Sequence, residues 1–275
     1  MNETIPPELL FHRLPDGRRL AWRQEGQGPP LVMLHGWSMS GTVFREVAAI
    51  LADDFLVLCP DLSGHGWSNS DESYSLVSLA EDLSDWLHGL GLQRTSLLGW
   101  SLGGQVAMQI AGQAKHQIDQ LLLISTTPCF SQKQGWPHGL PQTQVRTMSR
   151  QLKRAYLKTL GEFFDLQFVG ESLPATRRRE ILEFAARASR LPEVNDCIAT
   201  LDILSSQDLR PTVRDLDCPV LVMHGTSDRI IPCEAGRYLA LEIPGAQLRL
   251  LEGVGHAPFM SRPTECAELW RNFLK

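Results

Sequence analysis

Short, unbroken apolar runs alternate with longer amphipathic stretches along most of this chain. Leu31 to Leu34, Phe55 to Cys59, Thr95 to Leu98, Gln120 to Ile124 and Pro219 to Met223 have the length and composition of buried strands. Between them, Val43 to Leu51 and Leu76 to Leu90 carry helical periodicity, and Leu102 to Met108 reads as a small-residue helix start. Strand and helix in strict alternation predict a mostly parallel sheet flanked by helices on both faces. Ahead of it, alternating residues from Leu10 to Arg23 around Pro15-Asp16-Gly17 predict an edge hairpin.

The rhythm changes after Pro128. From about residue 131 to 208 the chain shows helical patterns, such as Val145 to Phe164 and Thr176 to Ser189, but no convincing strand. Alternation then resumes with Val220 to Met223, a helix from Glu234, a strand over Gln247 to Leu251 and a terminal helix to Phe273. The expectation is an α/β core built from residues 1–130 and 209–275, with a helical lid, 131–208, inserted in it. Such a lid would stand over the carboxyl ends of the strands, where open α/β sheets bind ligands.

Composition narrows the class. The chain has 275 residues and a net charge of −5, which argues against a nucleic-acid partner. No run approaches the roughly 20 apolar residues of a membrane span, and Met1 to Pro7 lacks the regions of a signal peptide. The expectation is a cytoplasmic monomer that neither spans nor rests on a membrane. The six cysteines are scattered and no H-E-x-x-H occurs, so free buried thiols, no metal and no cofactor are expected. Charge is unevenly distributed, however. Ser131 to Pro192 holds eleven Lys and Arg against five Asp and Glu, a local +6 that leaves −11 for the rest.

Gly99-Trp100-Ser101-Leu102-Gly103 fits the G-x-S-x-G elbow, a strand-to-helix turn that presents a serine hydroxyl at the top of a sheet. A serine nucleophile needs a base, and the base an orienting carboxylate, which follow the elbow in the order acid, then histidine. Asp228 lies just beyond the strand Val220 to Met223, and His256 just beyond Gln247 to Leu251. Ser101, Asp228 and His256 are therefore the candidate triad. His224 also follows a strand, but it precedes the candidate acid and breaks the order. An oxyanion needs two preorganised donors; the candidates are the backbone N–H of Leu102 and that of Trp37, whose indole would line the acyl pocket.

His35-Gly36-Trp37, Asp61 through Ser68, the elbow, Asp228 and Gly255-His256 together resemble the α/β-hydrolase superfamily across nearly the whole chain. A narrower resemblance rests on Ser125 to Ser131 with Trp136-Pro137, Phe163 to Gln167, Leu204 to Arg210 and Gly255 to Phe259. These segments look like the BioH family, the pimeloyl-[acyl-carrier protein] methyl ester esterases of biotin synthesis. The resemblance implies a carboxylic ester hydrolase that removes a methyl group, as methanol, from an acyl chain carried on acyl carrier protein. It implies that Trp37, Ser101, Leu102 and His256 contact the acyl end, and that Phe163, Phe164, Asp165, Leu166 and Gln167 line the chain. An acidic carrier would suit the basic lid, with Lys153, Arg154, Lys158, Arg177, Arg178 and Arg179 as docking candidates. Glu162 departs from the pattern, standing where the resemblance favours a basic residue. The triad alone leaves open a general short-chain esterase, a C–C bond or lactone hydrolase, and a non-catalytic sensor on the same fold.

Overall fold

In the computed structural model, which describes residues 5–113, 118–188 and 190–275, the sheet has eight strands. The chain enters through the hairpin β1 (Leu10–Arg13) and β2 (Arg19–Glu25), then β3 (Pro30–Leu34), a 3-10 turn (Gly41–Phe44), α1 (Arg45–Leu51) and β4 (Leu56–Pro60). There follow α2 (Leu76–Gly89), β5 (Thr95–Trp100), α3 (Leu102–Gln113) and β6 (Ile118–Ile124). Five helices come next: α4 (Gln142–Arg154), α5 (Tyr156–Leu166), α6 (Ala175–Ala188), α7 (Val194–Ser206) and α8 (Arg210–Val213). The chain returns to the sheet with β7 (Val220–Gly225), α9 (Cys233–Glu242) and β8 (Gln247–Leu251), and ends in α10 (Pro258–Ser261) and α11 (Pro263–Leu274).

Strand order is β1-β2-β4-β3-β5-β6-β7-β8. β1 and β2 pair antiparallel, as do β2 and β4, and the remaining pairs are parallel. The expected α/β architecture is the one observed. Its apolar runs are continuous because the central strands are covered on both faces. Val32, Leu97, Leu123 and Val222 enter one core with residues of α2 and α3, such as Trp86 and Val106. Met33, Leu98, Leu122 and Met223 enter the other, with Val47 of α1 and Trp270 of α11.

The helical stretch expected over Val145 to Phe164 is two helices, broken at Ala155 (φ −149°, ψ 58°). α4 packs against α7, whereas α5 reaches the loop after β3, where Phe163 meets Trp37 edge to face. One straight rod does not serve both partners, and periodicity does not register partners. α7 and α8 had no counterpart among the expected helices; Ser189, the expected end of the helix before them, lies outside the described residues. No helix among the described residues is long and apolar enough to cross a membrane.

Candidate active site

Three loops at the carboxyl ends of β5, β7 and β8 build the site. Between β5 and α3 the backbone of Ser101 is left-handed, with φ 54°. A non-glycine residue rarely adopts this conformation without a structural reason. Here two hydrogen bonds hold it: the Ser101 N–H donates to the Ile124 carbonyl (3.1 Å), and the Thr126 hydroxyl donates to the Ser101 carbonyl (2.7 Å). The turn is tight enough that a Cβ at Gly99 would overlap the Gly103 carbonyl, and one at Gly103 the Leu34 carbonyl. Only glycine fits either position.

β7 and β8 supply the other two side chains. His256 Nδ1 stands 2.7 Å from Asp228 Oδ2, with both residues buried. His256 Nε2 is buried and has no hydrogen-bond partner among the described residues. Asp228 Oδ1 accepts the Ile230 and Ile231 N–H groups at 2.8 and 2.9 Å. Burial works to raise the Asp228 carboxyl, but the charge of His256 and hydrogen bonds from both His224 and His256 outweigh it. The carboxyl is therefore held well below its ordinary range and stays ionised.

Sequence order set His224 aside as a base, and the structure gives it a different place. Its Nε2 lies 3.2 Å from Asp228 Oδ2 and 2.9 Å from the Ile231 carbonyl, so it donates to the acid's surroundings. Trp100, the variable residue of the elbow, was also missed: its indole N–H donates to the His256 carbonyl at 2.9 Å. Contacts across 156 residues leave no local pattern by which they could have been found.

Leu102 opens α3, so its N–H is among those a helix leaves unsatisfied, at the positive end of the helix dipole. Trp37 N–H has no backbone partner among the described residues. The Trp37 indole is buried, donating to the Cys197 carbonyl of α7 (2.9 Å) and meeting the Phe163 ring at 4.9 Å. It ties α5 and α7 to the site.

The run Phe163 to Gln167 is unevenly buried. Helical geometry turns Phe163, Phe164 and Gln167 inward, while Asp165 and Leu166 face solvent. Phe164 forms one wall of an apolar cleft of about 220 Å³, together with Met39, Leu160, Phe184 and Met260. The Gln167 side chain is fully buried and its amide has no partner among the described residues.

Nor are all the basic candidates available. Arg177 is an internal clamp: it pairs with Glu46 at 2.6 Å and Glu180 at 3.0 Å and donates to the Met260 carbonyl at 2.9 Å. Lys158 stands 3.7 Å from Glu162, the residue that departed from the family pattern. Lys153, Arg154, Arg178 and Arg179 are exposed. Glu193, Asp196, Asp202 and Asp208 reduce the net charge of 131–208 to +2. Asp196 is buried against Ser70 and Tyr74, and Asp208 pairs with Arg210.

The loop after β3 carries a pH liability. His35 Nε2 accepts the Leu62 N–H at 2.9 Å while Nδ1 faces the Gly36 carbonyl at 2.8 Å, a pairing that requires the neutral ring. Burial pushes His35 down to about 4, and burial with the neighbouring His35 pushes His65 down to about 3. In the unfolded chain both protonate near the ordinary 6.5. The unfolded state therefore binds more protons below that pH, so stability is complete above it and declines as pH falls toward the folded values. Each histidine costs about 2 kcal/mol at about pH 5. Urea unfolding near pH 7.5 and pH 5 measures this; the same midpoint at both would refute it.

The chain belongs to the alpha/beta hydrolase family, whose model matches residues 31–269. Among curated proteins it is similar to the pimeloyl-[acyl-carrier protein] methyl ester esterase of Nitrosomonas europaea, 38% identical over 87% of this chain and 93% of that protein. The enzyme of the same name from Chromobacterium violaceum is 34% identical over 86% of this chain and 90% of its own. Among solved structures, an esterase from Exiguobacterium antarcticum shares the fold, with a TM-score of 0.88, 24% identity and coverage of 96% of this chain and 98% of that one.

Proposed function

We propose that this protein is a serine carboxylesterase that hydrolyses the methyl ester of pimeloyl-[acyl-carrier protein] methyl ester, releasing methanol and leaving the thioester intact. The reaction is carried by one observation: His256 has Nδ1 on an ionised Asp228 and its buried Nε2 unpaired, on a loop whose His256 carbonyl accepts the indole N–H of Trp100, the residue before Ser101. Ser101 Oγ attacks the ester carbonyl as Nε2 takes its proton, and the Trp37 and Leu102 N–H groups hold the oxyanion. The tetrahedral intermediate collapses, His256 returns the proton to the leaving methoxide, and water then releases the acid by the same steps in reverse. The choice of substrate is supported by the similarity to the esterases above.

In this reading residues 131–208 act as a lid on the core formed by 1–130 and 209–275. The acyl chain enters beside Phe163, Phe164 and Gln167, and an acidic acyl carrier protein docks on Lys153, Arg154, Arg178 and Arg179, with Lys158 contributing less because of Glu162. The enzyme works as a cytoplasmic monomer. Attraction between exposed charges is screened beyond about 8 Å at physiological ionic strength. KM for the carrier-linked methyl ester therefore rises with salt while that for p-nitrophenyl butyrate stays level. Reversing the charge of Lys153, Arg154, Arg178 and Arg179 together raises the carrier KM by about tenfold and leaves small-ester kcat unchanged. Equal salt dependence for the two substrates would leave a general esterase as the better account.

A further inference from the structure

The loop that carries His256 is held from the helical segment as well as from the core. Immediately after α5, the Gln167 carbonyl accepts the His256 N–H at 2.8 Å. Four residues on, Glu171 Oε1 accepts the Gly255 N–H at 2.7 Å. The turn between them is wound onto α5, with Gln167 N–H on the Phe164 carbonyl (3.2 Å) and Glu171 N–H on the Phe168 carbonyl (3.1 Å). It presses so closely that a Cβ at Gly255 would overlap the Gln167 carbonyl and crowd Glu171 Oε1. Two consecutive amides of the histidine loop thus end on one short turn of the helical segment.

We propose that Glu171 is a positioning residue: its carboxylate, reaching the Gly255 N–H from the turn after α5, holds the histidine loop so that Nε2 can take the serine proton. This rests on the reading of His256 as the base. The core supplies further restraints, among them the Trp100 indole on the His256 carbonyl and Asp228 on His256 Nδ1. Seating of the turn thus adds to the alignment of the base, which couples proton transfer to the position of the helical segment. A half-buried carboxylate accepting a backbone N–H makes a charge-assisted bond, stronger than a neutral one. A misplacement of about 1 Å in a catalytic group costs on the order of 10²-fold in rate.

The test compares Glu171→Ala, Glu171→Gln and Glu171→Asp in the full chain. Readouts are kcat and KM on p-nitrophenyl butyrate, and the rate at which a fluorophosphonate labels Ser101, which reports serine–histidine reactivity without turnover. Ala, which removes the acceptor, and Asp, which shortens its reach while keeping the charge, should each lower kcat and labelling rate by about tenfold or more, with KM within about twofold. Gln keeps an oxygen at the same reach and should stay within about threefold of the unmodified protein. If Ala does not fold, Asp and Gln carry the comparison alone. Wild-type labelling rates in Ala and Asp would overturn the proposal, as would a Gln variant as slow as Asp. Failure of the unmodified protein to label at Ser101 would instead overturn the reading of the site.

Discussion

Ser101→Ala and His256→Ala should each reduce kcat on p-nitrophenyl butyrate by about 10⁴-fold or more. Removing the nucleophile eliminates the covalent route, and removing the base leaves a hydroxyl whose proton has no acceptor. Asp228→Asn should be milder yet still large. It takes the charge from a carboxylate that faces two histidines and two backbone N–H groups, and an amide in its place misorients the imidazole. The three variants should remain folded, since each change lies on a loop at a strand end. Steady-state kinetics with circular dichroism checks both halves. Near-normal turnover in Asp228→Asn would require another acid, and retained activity in Ser101→Ala would end the nucleophile assignment.

Trp37→Ala should bring the largest loss of stability, about 3–5 kcal/mol, because it empties the space of a fully packed indole. Trp37 is 2% exposed. Its ring supports Phe163 of α5 and its indole N–H donates to the Cys197 carbonyl of α7, so the variant loses packing and one of the hydrogen bonds that carbonyl accepts. Activity should fall too, because the Trp37 amide is one of the two proposed oxyanion donors and the loop bearing it would lose its anchor. Urea unfolding measures the first effect and kcat the second. A loss below about 1 kcal/mol, the scale of a surface change, would show that the indole does not hold the helical segment in place.

Other consequences lie at single residues rather than in the scaffold. Arg177 shows how a correct count of charge can mislead: the residue is basic and on a helix of the right segment, yet it is spent on Glu46, Glu180 and the Met260 carbonyl. Asp165 and Leu166 show the same for a contiguous motif. Adjacent residues at the end of a helix cannot share one face, and the 3.6-residue turn sends Asp165 and Leu166 to solvent.

By itself the sequence determined the layered scaffold and the order of the candidate chemistry. Apolar runs of strand length alternating with amphipathic helices specify a sheet buried on both faces, because that pattern is local and each segment carries its own period. Glycine spacing around Ser101 marked the elbow for the same reason, since close backbone approach excludes any Cβ there. Tertiary structure alone decided how the histidine is held. Trp100, Gln167 and Glu171 converge on the loop of His256 from distant parts of the chain, and His224 turns back onto Asp228 four residues on. It also decided the break at Ala155 and the partners of Arg177. These depend on which surfaces meet after folding, and residues far apart in sequence leave no periodic trace of a contact they make only in space.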